Sequence, residues 1–169
     1  MARRHWLGFT CWHPQASWPA WPVIPQHTST ERVMKISIEA HIEQEIEAVW
    51  WAWNDPDCIA RWNAASSDWH TTGSRVDLVV GGRFCHHMAA KDGSAGFDFT
   101  GTFTRVEAPT RLSFVMDDGR EVDVQFASEP GGTWVQETFD AETSHTQAQQ
   151  QAGWQGILDN FKRYVEAAG

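Results

Sequence analysis

The 169-residue chain predicts one α+β domain: a curved, seven-stranded antiparallel sheet wrapped around a long C-terminal helix, with two short helices after strand one. Three observations predict it. Short runs of alternating apolar and polar residues recur from Lys35 to Asp140, and most connections between them are too short for parallel crossovers. The stretch 50-WWAWNDPDCIARWNAASSDWH-70 interrupts the alternation with helical spacing, and the chain closes on an amphipathic stripe from about Ser144 to Ala167.

Strand one is read from Ile36, Ile38, Ala40 and Ile42 alternating with Lys35, Ser37, Glu39 and His41. Ile46, Val49, Trp50 and Trp53 then fall at helical spacing. Asn54 is expected to close that helix in the left-handed conformation, and Asp55-Pro56 to open the next as N-cap and first-turn proline. Strands follow at 76-VDLVV-80, 83-RFCHHM-88, 97-FDFTGTFTRV-106, 111-RLSFVM-116, 120-REVDVQFA-127 and 133-TWVQETFD-140, separated by turns such as Lys91-Asp92-Gly93-Ser94, Asp118-Gly119 and Pro130-Gly131-Gly132. The final helix presents Trp154, Ile157, Leu158, Phe161, Tyr164 and Val165.

Residues 1–33 fit none of this. They hold four Trp and four Pro with no apolar period, and no uninterrupted run suits a secretory signal. Met34 is expected to be the natural start, with the extension as upstream translation or a disordered tail; a Trp/Pro-rich interaction arm is the rival. The domain is expected to span 34–169, with no membrane-spanning segment. The net charge is −9, and removing Arg3, Arg4, Arg32 and Glu31 leaves 10 basic against 21 acidic residues, or −11. With no basic patch, such a body is not expected to bind nucleic acid. Cys11, Cys58 and Cys85 are odd in number and unpatterned, which fits thiols in a reducing, cytoplasmic setting.

The residues also carry a resemblance. The element order, with 53-WNDPDCIARWN-63, 81-GGRF-84, 96-GFDFTGTF-103, 137-ETFDAE-142 and 153-GWQGILDNFKRYVE-166, resembles the START-like helix-grip fold. Within it, the chain is similar to SRPBCC proteins, specifically bacterial single-domain proteins of the activator of Hsp90 ATPase homologue 1 kind, from Lys35 to the C-terminus. The resemblance implies a sheet that grips the helix and leaves a cavity for apolar or aromatic molecules. Known members include carriers, cyclases and sequestering resistance proteins.

Phe84, Phe97, Phe99 and Phe114 are expected on the inward faces with Trp154 and Leu158 opposite, while Trp53, Trp62 and Trp69 form one wall and the mouth and Trp50 is core. His86 is in phase with Phe84 and Met88, and Glu137 with Val135 and Phe139, so both are expected to point inward as polar handles or structural hydrogen-bonders. His87 should face outward, which disfavours a His86-His87 metal site. Gly153 and Gly156 inside the last helix leave either room beside it or a close helix-to-sheet approach. No nucleophile elbow, phosphate loop, HExxH or dinucleotide fingerprint occurs.

The expected function is therefore binding of a small hydrophobic or aromatic molecule by a carrier, sensor or sequestering protein. No metal or cofactor is expected, and the oligomeric state is left open between monomer and homodimer. One alternative is an enzyme of the polyketide cyclase or hydrolase kind, using His86 and Glu137 in the same cavity; another is a chaperone-partner module.

Overall fold

The computed structural model describes residues 34–168; the expectations for residues 1–33, Cys11 among them, lie outside the described residues. The elements run β1 (Lys35–Ile42), α1 (Ile46–Asn54), α2 (Pro56–Trp62), β2 (Trp69–Val76), β3 (Arg83–Ala90), β4 (Gly96–Glu107), β5 (Arg111–Met116), β6 (Glu121–Glu129), β7 (Gly132–Asp140) and α3 (Gln147–Ala167). The seven strands form one antiparallel sheet in the order β1-β7-β6-β5-β4-β3-β2. The sheet curls into a half-barrel around α3, with register shifts between Thr71 and Gly73 and between Phe103 and Arg105 that add local bend, as bulges do.

The second strand sits earlier than its apolar run predicts. β2 starts at Trp69 and stops at Val76, and 77–82 is a turn in which Val79 and Val80 are exposed. The pairing explains it: Val76 lies opposite Phe84, and Asp77 N–H donates to Arg83 O at 2.9 Å, so the β2–β3 hairpin has already turned where 78-LVV-80 begins. β-propensity yields here to register. The turn after β5 also holds Asp117, Asp118 and Gly119 between the paired Met116 and Arg120, one residue more than Asp118-Gly119 suggests.

The two short helices meet through satisfied ends. Asp55 Oδ1 accepts from Asp57 N and Cys58 N at 3.0 and 2.9 Å, with Pro56 in the first turn. Asn54 does not adopt the expected closing role; it is the last helical residue of α1, and its amide donates to Trp50 O at 2.9 Å. The Trp62 indole N–H donates to Ala52 O at 3.0 Å. The Trp62 bond thereby satisfies one of the last four carbonyls of α1, which have no further helix to accept from.

α3 opens on a capping box, Thr146 with Gln149. Its two halves differ. Leu158, Phe161 and Val165 in the C-terminal half are buried against the core with Ile36, Val49, Val135 and Phe139, whereas Gly153, Trp154 and Ile157 in the N-terminal half are half-buried and border open space. Gly153 leaves the room foreseen, whereas Gly156 makes a close approach to a loop and not to the sheet. A Cβ at Gly153 would meet nothing within 4 Å, while one at Gly156 would lie 3.3 Å from Ala65 O on the α2–β2 loop. Of the expected thiols, Cys58 is free and buried; Cys85 is not free.

Candidate functional site

Between the curled sheet and the open half of α3 lies a cavity of about 910 Å³. Its walls come from strands whose inward residues alternate with outward ones. On β3 the inward set is Phe84, His86 and Met88; β4 adds Phe99 and Phe103, and β5 adds Leu112, Phe114 and Met116. Phe84 can lie flat on β4 because its in-register partner is Gly101, where a Cβ would come within 2.8 Å of the ring. Around Phe84 the rings of His86, Phe99, Phe103 and Phe114 stand at centroid separations of 4.8–5.6 Å. Opposite, Trp154 stacks on Phe139 at 4.0 Å and 13°, and its edge faces Phe99 at 6.1 Å.

The structure brings nearly all the expected site residues to this space: Trp53, Trp62, Trp69, Phe84, His86, Phe97, Phe99, Phe114, Glu137 and Trp154 border it. Leu158 does not. It is 1% exposed in the core beneath, because one turn beyond Trp154 the helix already lies against the sheet. The tryptophans divide differently from expectation. Trp62 touches the cavity but belongs to the core, 7% exposed, with Trp53 at 5.3 Å and Phe161 at 4.8 Å. Trp50, expected as core, is half-buried with its edge on Phe126 at 5.4 Å. Helical spacing marks a face but does not say how deeply each indole on it is buried. The Ala52 carbonyl anchors the Trp62 indole in the core. Trp69 and Phe97 pair at 5.8 Å at the rim, and Phe97 is 49% exposed.

His86 and Glu137 interrupt the apolar lining on the inward face of the sheet. His86 Nδ1 lies 2.8 Å from Ser74 Oγ, and burial pushes the imidazole down to about 4, so it is neutral near pH 7. Glu137 sits between Ile38 on β1 and Val124 on β6. It is 7% exposed and has no hydrogen-bond partner among the described residues. Its oxygens are not sealed in protein but meet the cavity. Burial alone pushes this carboxyl up to about 8. His87, one residue on, faces outward to Asp98 at 2.6 Å.

The rim was less legible in sequence. Asp98, Asp117, Asp118 and Glu142 border the opening, and Arg120 is the single lysine or arginine there among the described residues. Arg120 is tied to Asp118 at 2.8–2.9 Å, Asp117 to Arg83 and Thr100, and Glu142 to the 144–145 backbone and His145. Gln150 holds the loop to the helix through Glu142 O and His145 O. Among the described residues, no group of three or more His, Cys, Asp or Glu side chains could hold a metal, and no helix is long and apolar enough to cross a membrane.

A curled antiparallel sheet gripping a terminal helix around an internal cavity defines a helix-grip protein. The model of the family described as activator of Hsp90 ATPase homolog 1-like protein matches residues 43–166, and the chain belongs to that family. It is similar, at 99% identity over 80% of this chain and 94% of the other, to the AHSA1-like protein of Aeromonas hydrophila solved by NMR, with a TM-score of 0.77. The solution structure of Chr148 from Cytophaga hutchinsonii is 40% identical over 79% and 93% of the two chains, with a TM-score of 0.70. Protein NE0264 of Nitrosomonas europaea shares the fold at 17% identity and a TM-score of 0.71, covering 84% of this chain and all of that one. No curated protein matches in sequence.

Proposed function

We propose that this protein binds a small, mainly apolar molecule with aromatic rings in the cavity between sheet and α3, as a carrier, sensor or sequestering protein. The observation that carries the reading is the ring-lined space of about 910 Å³, within the range of roughly 300–1,000 Å³ usual for small-molecule sites. Its composition is that of a binding pocket too: mainly apolar walls with a few polar side chains, His86 and Glu137 on the sheet among them. A site kept only for packing would collapse around Gly153, where there is room for a side chain.

The test is native mass spectrometry of protein purified from its own cells, read beside thermal melts and tryptophan quenching with a panel of flat polycyclic compounds. A co-purifying small molecule, or a raised melting temperature with quenching, is expected. A protein that arrives empty and responds to none of the panel would refute the reading. A catalytic reading draws on one observation, the carboxyl of Glu137 with a pKa of about 8, near the range useful to a general acid or base. Turnover of a bound compound that is lost in Glu137→Gln while binding persists would establish it; unchanged compound after long incubation would exclude it for that compound.

A further inference from the structure

Resting on that reading, the site also indicates the charge of its occupant. We infer that the cavity takes a lipophilic cation, an aromatic molecule carrying a positively charged nitrogen, with Glu137 as its counter-ion.

Three independent features carry this. Glu137 is an acid placed in the wall of an apolar cavity with no donor supplied by the described residues, so once an occupant displaces water the ionised carboxylate can find a partner only in that occupant. The lining offers an anion no unengaged lysine or arginine: Arg120, the single one there among the described residues, is held by Asp118. At the rim Asp118 is paired with Arg120 and Asp117 with Arg83, which leaves Asp98 and Glu142, each against a histidine, as the excess acids near the opening, a balance that favours a cation over an anion. Finally, the rings of Trp154, Phe99 and Phe84 border one space, and aromatic rings attract a desolvated cation as well as stacking on its rings.

The groups around Glu137 make the pH behaviour specific. The flanking inward positions are Ile36, Ile38 and Ala40 on β1 and Val122, Val124 and Phe126 on β6, and α3 contributes Gln150, Trp154 and Ile157; none of these titrates. His86 faces the cavity from β3 and is neutral above about 4. The remaining charges, Asp98, Asp117, Asp118, Arg120, Glu142 and His145, stand at the rim. A cation that pairs with Glu137 must displace its proton, so affinity should rise with pH up to about 8. The slope approaches tenfold per pH unit.

The experiment uses three tricyclic probes of one size: N-methylacridinium, whose charge is fixed, neutral acridine, and 9-anthracenecarboxylate. Binding to the full chain is titrated by tryptophan quenching and calorimetry. At pH 8 the cation should bind about tenfold or more tighter than acridine, and the anion weakest. N-methylacridinium should gain about fiftyfold between pH 6 and pH 8, releasing a proton measurable in buffers of different ionisation enthalpy. Glu137→Gln should abolish both the gain and the preference while still binding acridine; whatever His145 and the rim contribute persists in that variant and is thereby subtracted. Equal or tighter binding of acridine at pH 8, preference for the anion, or a pH gain that survives Glu137→Gln would overturn the charge assignment while leaving the cavity reading intact. Failure of all three probes to bind would remove both.

Discussion

Glu137 and His86 make opposite demands on folding as pH changes, and their balance can be measured without any ligand. The carboxyl has its ordinary value of 4.5 in the unfolded chain and about 8 when folded. Between those values the folded state holds more proton than the unfolded one, so this group's contribution falls as pH rises, by ~1.4 kcal/mol per unit. His86 goes from 6.5 unfolded to about 4 folded. Its unfolded state holds more proton in that interval, so stability falls as pH drops. From 4.5 to 6.5 the two slopes cancel, and the pair should leave the wild-type profile flat. Above 6.5 the Glu137 term alone remains and stability should decline toward pH 8. Glu137→Gln keeps the shape and removes the proton. The variant should therefore lose stability below pH 6.5, where wild type is flat, and hold it above. Relative to wild type it should gain up to ~3 kcal/mol between pH 5 and pH 7.5. Urea denaturation followed by tryptophan fluorescence at half-unit steps measures this difference, and titrations elsewhere cancel because they are common to both proteins. Parallel stability curves for wild type and Glu137→Gln from pH 5 to pH 7.5 would refute the assignment of a buried, proton-holding carboxyl.

Trp62→Ala should cost about 3–5 kcal/mol, since it empties a core site and strips the Ala52 carbonyl of its donor, whereas Trp69→Ala at the half-buried rim should cost under about 1 kcal/mol yet weaken ring binding several-fold; denaturation beside ligand titration separates them. Gly153→Ala should stabilise α3 by up to about 1 kcal/mol, because its Cβ enters open space, and Gly153→Leu should cut binding of tricyclic probes by reaching into the cavity. Gly156→Ala should gain less than Gly153→Ala or lose stability against Ala65 O, as thermal melts of the pair would show. Asp55→Ala should cost about 1 kcal/mol by freeing two helix N–H groups.

The fold was legible because local signals agreed with global ones. Alternation gave β1 and β4–β7 nearly to the residue, and Asp55-Pro56 marked the restart at α2. The failures lie where tertiary pairing decides and local preference does not. The apolar 78-LVV-80 lost its place as a strand to the register of Val76 against Phe84, and Trp62 is buried deeper than Trp50, which packs half-buried against the core, because the Trp62 indole has an acceptor in Ala52 O. The inward direction of His86 and Glu137 followed from strand parity alone. That Ser74 would engage His86 while no described residue would engage Glu137 did not, since each depends on what the curled sheet places opposite.

The two halves of α3 show how stability and vacancy are kept apart in so small a domain. A helix lying on a curled sheet would seal it along its whole length if every facing position carried a large side chain. Here Leu158, Phe161 and Val165 close the C-terminal half, where α1 and α2 add Val49, Ile59 and Trp62 to the same core. In the N-terminal half the helix is instead held by polar contacts at its edges. Gln150 ties it to the Glu142 and His145 carbonyls, and Gln151 and Gln155 reach Ser37 O and Glu39 O on β1 at 3.3 and 3.1 Å. Edge contacts fix position without filling volume, so Trp154 can stand against Phe139 while Gly153 beside it leaves room. This division predicts which half yields to mutation. Replacing Gln151 and Gln155 together with alanine should leave the core intact and cost little in urea, because each bond is exposed or partly so and worth about 1 kcal/mol or less. It should nevertheless loosen the N-terminal half of the helix, raising amide exchange at 148–156 while 158–166 stays protected, and weaken probe binding. Uniform loss of protection along α3 would show that the helix behaves as one cooperative unit and that the cavity is not held open by its edge.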